Sequence, residues 1–229
     1  MAAIGPKSRL RVIWGDAIFS MLQGKSVLDF GCGEGSEAIE MAQCGADYVI
    51  GLDIREEVLA TARQRAKAAG VEQRCEFTTK ASRLVDMVIS IDAFEHFEDP
   101  EGILRLMEGL LKPEGEVVIN FGPTWYHPLG GHLFSIFPWA HLLFSEKALI
   151  RWRADFRSDG ATRFSEISGG LNQITIKRFE QIVGRSAFEF RSLELVPIRR
   201  LRPVHCALTR EFTTAVVRCT LVKRKQAQG

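Results

Sequence analysis

The chain of 229 residues lacks the cysteine pattern of a disulfide or zinc framework: it has five cysteines, an odd number, and no Cys-x-x-Cys pair. Reduced thiols in a cytoplasmic compartment fit that usage. It also lacks a charge excess. Thirty basic residues against 28 acidic leave a net charge of +2, which excludes a chain-wide pull on nucleic acid. No uninterrupted apolar run reaches membrane length, and the opening "MAAIGPKSRLRVIWGD" has no apolar stretch long enough for a secretory signal. Internal repeats and low-complexity tracts are missing as well. Basic residues do gather between Arg199 and Lys225, but apolar residues interleave them, as on a solvated face or an edge strand.

What is present is an ordinary globular composition, 46% hydrophobic and 25% charged, on a chain long enough to bury a core. Residues 8–22 carry apolar positions at helical spacing. Short apolar runs at 26–30, 47–54, 74–79, 85–91 and 115–121 read as strands. Between them, 36–45, 55–70 and 100–112 read as helices, closed by Gly45, Gly70 and Pro113. Strands alternating with helices of this length predict βαβ units and a mostly parallel sheet. The rhythm breaks after Gly122 into a segment rich in proline, histidine and aromatics. It resumes with a helix near 177–184 and two strand-like runs, 188–198 and 212–222, with no convincing helix between them. The expectation is one domain over 1–229: a core at 26–121, an inserted cap at 123–172, then a C-terminal helix and edge strands at 173–229.

The stretch "VLDFGCGEGSEAIEMA" (27–42) is the most informative. A strand, a glycine turn and a helix place free backbone N–H groups at the carboxyl edge of a sheet, where open α/β sheets bind ligands. The dinucleotide pattern G-x-G-x-x-G would need glycine at 36, but the sequence is Gly31-Cys32-Gly33-Glu34-Gly35-Ser36. Asp29, two residues before the first glycine, would repel a pyrophosphate and attract an ammonium or sulfonium. Asp53 ends the second strand, at the distance where an acidic residue takes ribose hydroxyls. The combination asks for a nucleoside with a net-cationic tail and no phosphates, which is the shape of S-adenosylmethionine.

Here the sequence resembles the class I S-adenosylmethionine-dependent methyltransferases. "LDFGCGEG", "VIGLDI", "DMVISIDAFEHFEDP" and "LLKPEGEVVI" match four of their motifs in order, over roughly residues 26–121. The resemblance implies a Rossmann-like, doubly wound, seven-stranded, mostly parallel sheet of order 3-2-1-4-5-7-6. Carried over by matching position, Asp29, Gly31, Gly33 and Gly35 would hold the methionine portion and Asp53 the ribose. Ile54 would pack on the adenine, while Ile91 and Asp92 would face the methionine portion near the sulfur. Many members place an aspartate after the third strand to take the adenine amino group; this chain has Thr79-Lys80-Ala81-Ser82, leaving backbone at Ala81 or the Ser82 side chain for that task.

Methyl transfer needs alignment, desolvation and a base when the nucleophile carries a proton. His127, in "WYHPLGGH" soon after the fifth strand, is the first candidate base; the alternative is a loop histidine that shapes the turn. His132 would pair with it or rim the cap, and His96 is the third candidate. Tyr126 would orient the acceptor or merely pack. If a helical turn starts at Asp92, then Asp92, Glu95 and His96 share a face and could hold a divalent cation, as in the ubiquinone-type O-methyltransferases that this motif resembles. The alternative, in which this stretch caps the following proline-started helix and no metal binds, is the one adopted. Trp125, Phe134, Phe137, Trp139, Phe144 and Trp152 would wall an acceptor pocket, pack as core, or meet a second copy or a membrane surface.

The expected activity is methyl transfer from S-adenosylmethionine, with S-adenosylhomocysteine as product, to a small-molecule acceptor, oxygen slightly favoured. No nucleic acid is expected as partner, and a homodimer would form through the cap. The rival readings are an RNA or protein methyltransferase, a non-catalytic cofactor binder, and a nicotinamide-dependent oxidoreductase, the last disfavoured by the glycine spacing.

Overall fold

Strands covered on both faces cannot alternate apolar with polar, and β1 (Ser26–Phe30), β2 (Tyr48–Leu52) and β4 (Val85–Ile91) are buried at almost every position. In the computed structural model, which describes residues 8–134, 137–155, 163 and 171–225, these strands lie side by side. β1 pairs in parallel with β2 (Val27 opposite Val49) and with β4 (Val27 opposite Met87), and β2 pairs in parallel with β3 (Cys75–Thr78). With β5 (Leu111–Phe121), β6 (Phe188–Pro197) and β7 (Thr214–Lys223), the order is β3-β2-β1-β4-β5-β7-β6. That is the seven-stranded, mostly parallel α/β sheet expected. The order reverses beside β1, which puts the topological switch point at the end of the strand leading into the glycine turn.

The chain divides into two compact units. The first comprises 1–91, 106–118 and 221–229, the second 92–105 and 119–220. In the first, α1 (Arg9–Trp14), α2 (Ala17–Leu22), α3 (Ser36–Gln43) and α4 (Glu56–Ala68) bring Leu10, Ile18, Met41 and Leu59 against Val27, Val49 and Met87 in one core. The single helix expected over 8–22 is two: Gly15 takes a left-handed φ of 69° and its N–H closes α1 on the Arg11 carbonyl. The apolar period runs through the break because both pieces bury residues in the same core. Helix α5 (Pro100–Leu110) stops short of the expected residue 112, since Pro113 disfavours helical backbone at Lys112.

In the second unit, Phe94, Phe121 and Phe179 stack at 4.8–5.5 Å between ring centroids, all fully buried. Helices α6 (Ala140–Leu143) and α7 (Glu146–Ala154) supply Ala140 and Leu149 to a small cluster with Phe134. Helix α8 (Ile176–Arg185) is capped twice, by Thr175 Oγ1 on the Arg178 N–H and by the Glu211 carboxylate on the Ile176 and Lys177 N–H groups. Between β6 and β7 the chain forms a 3₁₀ turn (Arg199–Val204) and α9 (Arg210–Thr213), where the sequence suggested no helix. Parts of the expected cap, 135–136, 156–162 and 164–170, lie outside the described residues.

Candidate active site

The glycine turn leaves β1 with Gly31 at φ 84° and both Gly31 and Cys32 N–H groups donating to the Leu52 carbonyl of β2. Gly33, at φ 52°, faces open space: a Cβ there would meet nothing within 4 Å. Gly35 differs, because a Cβ at that position would reach 2.6 Å from the Phe77 ring and 2.9 Å from Ala62. Gly33 therefore serves close approach, whereas Gly35 lets α3 and α4 close on the sheet.

Asp29 is 3% exposed, and one of its oxygens accepts the Ala38 N–H in the first turn of α3. The other, Oδ2, is buried with no partner among the described residues. Burial first, and the neighbouring Glu37 second, push its pKa up to about 8. A cation brought to Oδ2 would supply the missing partner and restore the charge. Asp53 is also buried but fully used: Oδ2 accepts the Gly33 N–H at 3.0 Å, Oδ1 the Arg55 N–H at 3.0 Å, and the Arg55 guanidinium adds bonds of 3.1 and 3.2 Å. Burial pushes its pKa up, but the Arg55 side chain and the two N–H groups together hold it below the ordinary carboxylate value. Ile54 beside it is 92% exposed, an apolar face at the sheet edge that none of the described residues covers. Ser82 is exposed and Ala81 half-buried, while Ile91 packs into the core with Val118.

The remaining predicted residues belong to the second unit. Asp92 takes φ 46° and receives the Asn120 amide at 2.7 Å, and only a 3₁₀ turn (Phe94–His96) follows. Asp92, Glu95 and His96 therefore do not share a helical face. Among the described residues no group of three or more His, Cys, Asp or Glu is arranged to hold a metal ion. The capping expectation for this stretch is corrected too: Asp99 caps α5, its Oδ1 accepting the Gly102 N–H at 2.8 Å. An aspartate directly before proline is a readable helix start, and it was the missed signal.

His127 is 9% exposed, and its Nδ1 accepts the Leu129 N–H at 2.9 Å, closing the "HPLGG" turn. Burial, then His132 and His141, lower its pKa to about 4. His141 donates from Nε2 to the Trp125 carbonyl at 2.6 Å. The His96 and His132 rings meet edge to face at 5.6 Å. The structure thus brings the cap histidines into one neighbourhood where burial keeps His127, His132 and His141 below their ordinary pKa. Tyr126 leans on Phe212 at 5.3 Å and takes the Trp139 indole N–H on its carbonyl.

A parallel sheet with its switch point beside an acidic glycine turn, a carboxylate ending the next strand and an open apolar face define the class I nucleoside-binding α/β architecture. Comparison with known proteins narrows this. Residues 22–123 match the family model of a methyltransferase domain. The ubiquinone biosynthesis O-methyltransferase of Bordetella avium is 39% identical over 124 residues, 52% of this chain and 50% of that protein. That of Neisseria meningitidis serogroup C is 38% identical over 115 residues, 46% and 48% respectively. The chain spans about half the length of the curated relatives it matches. Among solved structures, an S-adenosylmethionine dependent methyltransferase from Mesorhizobium loti superposes with a TM-score of 0.59 at 21% identity, covering 92% of this chain and 97% of that one. The [4+2]-cyclase SpnF gives 0.59 at 15% identity, covering 93% and 82%. Such likenesses show the fold alone. Residues 22–123 are thus similar to a methyltransferase domain, and the chain has the fold of the S-adenosylmethionine-dependent methyltransferases.

Proposed function

We propose that the chain transfers a methyl group from S-adenosylmethionine to an oxygen of a small-molecule acceptor. The observation that carries this reading is the unpartnered, buried Asp29 Oδ2 beside a glycine turn that lacks the phosphate spacing. A dinucleotide brings negative charge to that point; an adenosyl group with an aminoacyl sulfonium tail brings positive charge. Gly33 leaves room for the tail, Asp53 lies where the ribose hydroxyls would bond, and exposed Ile54 offers a face to the adenine. The O-methyltransferase relatives support oxygen as the accepting atom.

In this reading the cofactor supplies an electrophilic methyl on a positive sulfur. The chain's own residues align the partners and exclude water. Among the described residues, 123–134 and 137–155 would meet the acceptor, with His127 and His132 as polar groups. His127 at about 4 is a weak base near neutral pH, so its contribution is shape first and proton acceptance second. Titration calorimetry with S-adenosylmethionine, S-adenosylhomocysteine and NAD side by side tests the reading. Binding of the first two is expected; heat released with NAD alone overturns it. Incubation with labelled methyl donor and fractionated extract then identifies the acceptor.

A further inference from the structure

The second unit contains a cavity whose walls include Trp125, Leu171 and Ile174 together with three polar side chains, Glu95, His132 and Gln173. It is small, about 10 Å³, with room for one water-sized group, and it opens to solvent. Glu95 is 3% exposed; its Oε1 accepts the Gly122 N–H at 3.3 Å, and its Oε2 is buried with no partner among the described residues. His132 is bound to the Pro123 carbonyl, and its Nε2 is likewise buried without a partner. The ring nitrogen that meets Pro123 must therefore be Nδ1, as a donor, which leaves Nε2 as a lone-pair acceptor. Two buried polar atoms without partners among the described residues thus belong to side chains that line one small space.

We infer that Glu95 and His132 form a subsite that grips the hydroxyl group of the acceptor. The inference rests on the O-methylation reading above. The guest must carry a proton on a small electronegative atom, because His132 Nε2 accepts, while Glu95, whose pKa burial raises to about 7, can meet the guest's own lone pair with its O–H. A hydroxyl suits Nε2 as donor and keeps a lone pair of its own, whereas an ether oxygen has nothing to give. The walls are held for this role. Asn172 donates to the Phe94 carbonyl at 2.8 Å and to the Phe97 carbonyl at 2.9 Å, and its N–H bonds the Glu95 carbonyl at 3.0 Å. The turn that carries Glu95 is therefore staked at three points. His132 itself sits at a left-handed φ of 48°, a cost that surrounding structure must offset to aim the ring. Nothing in the spacing of these residues along the chain announces the pair.

The test uses the full chain saturated with S-adenosylhomocysteine and titrated by NMR with phenol and with anisole, which differ in the one proton. Phenol is expected to bind about fivefold more tightly, the range of one hydrogen bond. In His132→Asn, whose side chain tolerates left-handed backbone, that preference is expected to fall toward unity while anisole affinity holds, and in Glu95→Leu both ligands are expected to weaken. Equal affinities in the unaltered protein, as when the cavity holds only a water, overturn the inference. So does a preference that survives in His132→Asn, or affinities for both ligands that are unchanged in Glu95→Leu, which carries the test alone if the histidine variant does not fold. Failure of S-adenosylhomocysteine to bind speaks instead against the proposed function, since the phenol preference can be read without it.

Discussion

The glycine turn and the histidine cavity use one physical device to opposite ends. Each buries a polar atom without a partner, Asp29 Oδ2 in the first unit and Glu95 Oε2 with His132 Nε2 in the second. Around Asp29 burial and Glu37 favour the neutral carboxyl, so the arriving group that gains most is a cation. Around His132 burial favours neutral imidazoles, so an arriving cation gains little and a neutral proton donor gains most. An orphaned atom thus marks a binding place, and its neighbours decide the charge of what binds.

The sharpest way to break that contrast lies in the first unit. Asp53→Ala removes bonds to the Gly33 N–H and to Arg55 as well as the expected ribose contact, so cofactor affinity should drop by roughly 1–3 kcal/mol by calorimetry. An unchanged constant would separate Asp53 from the nucleoside altogether. Asp29→Asn should weaken the cofactor by about tenfold, and weaken the uncharged-sulfur product S-adenosylhomocysteine less, because only the charge has been removed.

The two units should also oppose each other in pH. The folded value of Asp29, about 8, lies above its ordinary 3.8, so stability that is fully present below 3.8 is lost progressively as pH rises from 3.8 through about 8. The folded value of His127, about 4, lies below its ordinary 6.5, so the unfolded chain takes the proton first and stability is lost as pH falls from 6.5 through about 4. Tm against pH should therefore decline on both sides. Asp29→Asn should flatten the alkaline limb, and His127→Gln should soften the acid limb without abolishing it, since His132 and His141 are lowered too. A profile unaltered by either change would show that these groups are not buried as described.

What the sequence disclosed follows the range of the forces involved. The sheet order, the turn and the acidic end of β2 are local or periodic, and their motifs carry them. The two-helix start was missed because apolar period survives a left-handed glycine when both pieces face one core. The Asp99 cap is readable in "EDPEG", directly before the proline, whereas the sequence reading places the cap in the stretch around Glu95 and His96. Glu95 was noticed only as a neighbour of Asp92 and His96, whereas its packing sets it against His132. Side-chain partners fixed by tertiary contact leave no spacing to read, and Asn172, which stakes the turn, showed no signal at all.

The smallest expected effect concerns Arg55, and it has the opposite sign to the others. Its guanidinium forms two bonds to Asp53 at 3.1 and 3.2 Å, although its own side chain is 51% exposed. With the Gly33 and Arg55 N–H groups these occupy the lone pairs of the carboxylate, which has room for about four donors. A ribose hydroxyl must then displace the guanidinium, and an exposed ion pair of this kind is weak enough to give way. Arg55→Ala should therefore tighten the cofactor modestly, by about two- to threefold, and steepen the dependence of affinity on Asp53. A loss of affinity in that variant would mean that Arg55 holds Asp53 in its binding pose and that ribose bonds the pair as a unit, which would make the carboxylate a scaffold for the turn before it is a ligand for the sugar.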